Sequence, residues 1–72
     1  MTLSNYIVWM SRKVHNLRIA AGLTPKQLDK KANLPSGYIK RFELGLCSPS
    51  FVVREKLAKA LGISADELEI PN

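Results

Sequence analysis

The sequence has few of the residues from which chemical sites are built. In 72 residues there is one cysteine, Cys47, one histidine, His15, and one tryptophan, Trp9. A single cysteine excludes an internal disulfide, which fits a reducing compartment, and the cytoplasm is the expected location. Without a second histidine or a cysteine cluster no tetrahedral metal site can be assembled, so neither metal nor cofactor is expected. His15 reads as an exposed residue of the first helix. Cys47 falls in a loop with no predicted base beside it to generate a thiolate. Asp66, Glu67 and Glu69 read as cap and dipole partners of one short helix rather than as paired acid and base. The four glycines form no phosphate-cradling loop. No enzyme activity and no small-molecule ligand are therefore expected. Long apolar runs are also missing: none approaches the roughly 18 residues that span a bilayer. The apolar stretch 3–10 is followed by Arg12 and Lys13 with no small-residue cleavage site, so neither membrane segment nor secretory leader is expected. No segment alternates with period two, which argues against a sheet.

What is present is a globular composition with an uneven charge. A hydrophobic share of 46% supports a core, and a chain this short, which buries only about 60% of its unfolded surface, has room for one modest core and one domain spanning 1–72. The net charge is +5. Between residues 12 and 41 there are eight basic side chains, Arg12, Lys13, Arg18, Lys26, Lys30, Lys31, Lys40 and Arg41, against Asp29 alone, a local charge of +7. Residues 42–72 set three basic side chains against five acidic ones, a balance of −2. Such asymmetry suits a face that meets a polyanion, the alternative being a solvated basic face with no partner.

Helix punctuation organises the rest. Leu3, Ile7, Met10, Val14, Leu17 and Ala21 recur at spacings of three and four, which predicts a helix over about 4–20 closed by Gly22. Thr24, Pro25 and Gln27 form a capping box with proline at the first helical position, opening a second helix over 25–32. Asn33, which tolerates positive φ, marks a sharp turn. Pro35 and Ser36 are taken to open a third helix over 36–43, weakened by Gly37, facing inward through Ile39 and Phe42 and stopped at Gly45. Ser50 caps a fourth helix over 51–61, with Val53, Leu57 and Leu61 in line and Gly62 at its end. Ser64 and Glu67 suggest a second capping box and a brief fifth helix over 65–69 with Leu68 inward.

The ordered set Leu17-Arg18, Ala21-Gly22-Leu23-Thr24, Leu28, Leu34, Ile39, Glu43-x-Gly45, Pro49-Ser50, Leu57-Ala58-Lys59-Ala60-Leu61-Gly62-Ile63 and Glu67-Leu68 resembles the Cro and phage-repressor helix-turn-helix family, also called the XRE family. The resemblance covers about 14–68 and leaves 1–13 as an N-terminal extension of helix one. It implies an all-α, compact five-helix, lambda-repressor-like bundle. It further implies a transcription regulator that lays helix three in the major groove of an operator in double-stranded DNA, a groove about 12 Å wide that admits a helix. A homodimer is expected with it.

Site roles follow from the same resemblance. The base-reading positions fall on Ser36, Gly37 and Arg41, with Tyr38 and Lys40 flanking them. Arg41 carries most of the expected readout, because Ser36 is short, Gly37 has no side chain, and the guanidinium fork suits the O6 and N7 of guanine. Thr24, Lys26, Lys30 and Lys31 are expected at phosphates, with amides near Thr24 and Lys26 open to one. Arg18 and Glu43 match an ion pair that locks helix one to helix three.

Several positions depart from the family pattern and favour a second reading. Pro25 replaces a common DNA-contacting glutamine, Asp29 stands where a small alanine commonly packs between the motif helices, and Arg54 stands where an apolar residue is common. The loop 44–48 is apolar and uncharged where relatives are polar or basic. Tyr6, Trp9, Leu44, Leu46 and Phe51 are more apolar side chains than one small core needs, unless Trp9 and Phe51 complete it, and they suggest a dimer or partner surface. The alternative function is accordingly a protein-interaction module on the same scaffold, of antirepressor or antitoxin type.

Overall fold

A computed structural model describes the backbone of residues 3–68 and the side chains of 7–68. Four α-helices follow one another, α1 (Leu3–Ala20), α2 (Pro25–Lys31), α3 (Tyr38–Glu43) and α4 (Phe51–Leu61), and then one turn of 3₁₀ helix, Ala65–Leu68. There is no strand among the described residues. The fifth helix expected from the sequence is thus a single 3₁₀ turn. There the Ser64 hydroxyl accepts the Asp66 amide at 3.3 Å, while Glu67 Oε2 takes the Ser64 amide at 3.3 Å. The expected inward role of Leu3 and the position of Glu69 lie outside the described side chains.

Each α-helix ends by the same device. A left-handed residue turns the chain back, and the next amide reaches a carbonyl five residues earlier: Leu23 to Arg18, Leu34 to Asp29, Leu46 to Arg41 and Ile63 to Ala58, at 2.8 to 3.1 Å. This motif satisfies carbonyls that the last turn leaves open. After α2 the left-handed residue is Asn33, with φ +56°. Asparagine is one of the few side chains that accept this region.

The core gathers the inward positions of every helix. Met10 and Val14 of α1, Leu28 of α2, Ile39 and Phe42 of α3, Leu57 of α4 and Leu68 of the final turn are completely buried. Burial of side chains this size stabilises by about 1.5–3 kcal/mol each. Ala21, assigned to the inward stripe from spacing, is exposed instead, because the chain has left α1 by that point. α3 packs on both α1 and α2, and α4 on the final turn. Supported from behind on two sides, α3 turns Lys40 and Arg41 outward.

Candidate nucleic-acid interface

The start of α2 is held by its own side chains. Thr24 Oγ1 accepts the Gln27 amide at 3.1 Å, and Gln27 Oε1 accepts the Thr24 amide at 2.8 Å. The Thr24 amide, expected to be open to a phosphate, is therefore occupied within the chain.

The start of α3 differs from the sequence expectation. Ser36 and Gly37 belong to the turn, and the helix begins at Tyr38, whose amide donates to Pro35 at 3.1 Å. Gly37 occupies the N-cap position with φ +85° and no side chain to act as a cap. A positive φ lies outside the right-handed helical region, so the helix does not extend back through position 37. The cap comes from α2. Asp29 Oδ2 accepts the Gly37 amide at 2.9 Å and Oδ1 accepts the Ile39 amide at 2.8 Å. Asp29 is 3% exposed. The side chain that looked like an intrusion between the two motif helices is what joins them.

Around this junction the structure assembles most of the basic and polar residues singled out above. Thr24, Lys26, Asp29, Ser36, Gly37 and Lys40 line one hollow between the starts of α2 and α3. An adjoining hollow adds Lys30. Arg41 is exposed one turn further along α3, its amide donating to Gly37 at 3.2 Å. Lys31 is not part of this group. It lines a separate basic hollow with Asn33, Lys56 and Lys59 against α4, where Lys56 Nζ reaches the Asn33 carbonyl at 3.4 Å.

Tyr38 is directed inward. It is half-buried against the core, as is Cys47. Burial first, then the influence of Cys47, push the phenol up to about 12, with Arg41 pulling the other way. Its spacing of four from the buried Phe42 is the signal that would have placed it on the inner side.

Behind the outer face, α1 and α3 are joined by charge. Arg18 Nε donates to Glu43 Oε2 at 2.7 Å, Nη2 to Oε1 at 2.9 Å, and Nη1 to the Leu23 carbonyl at 2.8 Å. His15, read from the sequence as a solitary surface residue, stands with Nδ1 2.7 Å from Glu43 Oε1. The same Nδ1 is 3.1 Å from Arg18 Nη2, so His15 joins the Arg18–Glu43 pair as a third member. Burial works against the Glu43 charge, but the hydrogen bonds from Arg18 and His15 outweigh it and hold the carboxyl below the usual range. The bond to Glu43 raises the Arg18 guanidinium in turn.

The apolar residues separate into two groups. Trp9 packs against the core with Lys13 Nζ 5.3 Å from its ring centre. Leu44, Leu46, Phe51 and Val52 are 57–67% exposed and follow one another through the α3–α4 loop into α4. The Arg54 guanidinium lies 5.8 Å from the Phe51 ring. The Tyr6 side chain is outside the described residues. Among the described residues no three histidine, cysteine or acidic side chains are grouped as metal ligands, and no helix is long and apolar enough to cross a membrane.

Comparison with known proteins gives one match of defined extent. The family model described as a helix-turn-helix domain matches residues 9–69. No curated protein and no solved structure matches the chain.

Proposed function

We propose that this chain, which belongs to the helix-turn-helix domain family, is a sequence-specific DNA-binding regulator that enters the major groove with α3. The observation that supports this most is the outward face of α3: Lys40 and Arg41 are exposed, and exposed Ser36, Lys26 and Lys30 border the same junction. Arg41 is the base reader in this scheme, with Lys40 beside it. Lys26, Lys30 and Thr24 hold the backbone, since side-chain cations and hydroxyls position a protein on DNA without carrying sequence information. The protein acts as a cytoplasmic, repressor-like homodimer on a two-fold operator, with half-sites about 34–36 Å apart.

Titration of duplex binding against salt tests the reading. A regulator loses affinity linearly in log salt, with slope about −0.9 per phosphate contact. Selection from a random duplex pool should yield a symmetric site, and sedimentation at high concentration should show a dimer. Absence of duplex affinity at any salt would favour the second reading, a protein-interaction module. The observation behind that reading is the exposed apolar run Leu44, Leu46, Phe51 and Val52.

A further inference from the structure

We infer that Asp29 is a positioning residue for base reading, setting the pose from which α3 meets the groove; the inference rests on the DNA-reading function proposed above. α3 has no cap of its own, because Gly37 stands at its cap position without a side chain. Asp29 supplies the cap and ties the turn at three points. Its carbonyl takes the Leu34 amide at 2.8 Å, and its carboxylate takes those of Gly37 at 2.9 Å and Ile39 at 2.8 Å. A buried carboxylate with both oxygens on backbone amides is a charge-assisted, directional restraint. It fixes the angle between α2 and α3 through one side chain.

The restraint reaches the outer face through Arg41. Its amide closes on the Gly37 carbonyl, so the frame set at Gly37 is passed to Arg41 one turn later. A bidentate base contact tolerates displacement of only about 0.5 Å, whereas flexible lysines can follow a displaced phosphate. The Asp29 carboxylate also occupies the positive end of the α3 dipole. The amides of Gly37, Tyr38 and Ile39 are all engaged within the chain, which leaves the DNA backbone to Lys26, Lys30 and the Thr24 hydroxyl. Asp29 thus governs discrimination between sequences and has little part in overall attraction.

The test is Asp29→Asn, which opposes an NH₂ to a backbone N–H. Wild type and variant are titrated with the duplex selected from the pool and with a scrambled duplex of equal length. The variant should bind the selected duplex about tenfold more weakly, the loss of one charge-assisted bond, and keep its scrambled-duplex affinity and salt slope. Val53→Ala, in α4 and away from the turn, should be less stable yet keep the ratio of the two affinities. An unchanged ratio in Asp29→Asn overturns the assignment, as does an equal loss in folded Val53→Ala. If Asp29→Asn does not fold, amide exchange in the wild type decides. Gly37 and Ile39 should stay protected on the selected duplex, and exposure of either on binding overturns the assignment. A wild type with no sequence preference overturns the DNA-reading function, and this role with it.

Discussion

Arg18 and Glu43 meet as a two-pronged pair, Nε to Oε2 at 2.7 Å and Nη2 to Oε1 at 2.9 Å, joining α1 to the last residue of α3. Their side chains are only 8% and 12% exposed. Removing one partner strands a charge where water cannot easily reach it, which costs about 3–5 kcal/mol. Arg18→Ala should therefore lose about that much in urea unfolding. His15 is half-exposed, so His15→Ala should cost less than about 1 kcal/mol. An Arg18→Ala protein of unchanged stability but no duplex affinity would make Arg18 a DNA contact instead.

The same network predicts acid sensitivity. The Glu43 carboxyl lies below its ordinary range in the folded chain, so the folded state holds its proton less tightly than the unfolded state. The resulting stability is present above the ordinary glutamate value of about 4.3 and is lost as pH falls through the lower folded value. Unfolding free energy should stay flat from neutral pH to about 5, then drop, and Glu43→Gln should flatten the drop. At the alkaline end Tyr38 reverses the sign. Its phenol is raised from about 10 to about 12, so its contribution is full below 10 and disappears as pH rises through 12.

Gly37→Ala isolates backbone strain from crowding. A Cβ at position 37 would meet nothing within 4 Å, but φ is +85°. The substitution should cost about 1–2 kcal/mol by thermal or urea unfolding. Gly37→Asn should cost less, since asparagine tolerates the left-handed region.

Arg41→Ala addresses the proposed reading face. Its exposure implies little change in stability, with a loss of about 1–3 kcal/mol in binding to the selected duplex and relaxed preference at one base pair. An equal loss on every duplex would make Arg41 a phosphate clamp.

Much of this fold is written in signals that act over three or four residues. Thr24 with Gln27, Ser50 with Val53, Asn33 at the turn and the glycines after α1, α3 and α4 all work at that range, so the bounds of α1, α2 and α4 are legible from the chain. The candidate site is less so. The cap of α3 comes from Asp29, eight and ten residues before the amides it binds, across a turn whose angle no local pattern specifies. The two hints are indirect: Gly37 has no side chain to cap with, and Asp29 stands where the family resemblance implies a small alanine is common. Placing the start of α3 at Ser36 failed because Gly37 adopts positive φ and ends the helical geometry there. His15 meets Glu43 across 28 residues, a contact set by how α1 packs on α3.

The two carboxylates that border α3, Asp29 at its entry and Glu43 at its exit, leave it little freedom to tilt or slide. In the proposed complex, an α3 tied at both ends would leave more of any misfit to be taken up by the duplex. Preference should then extend to base pairs that no side chain touches, favouring steps that kink cheaply, such as pyrimidine followed by purine.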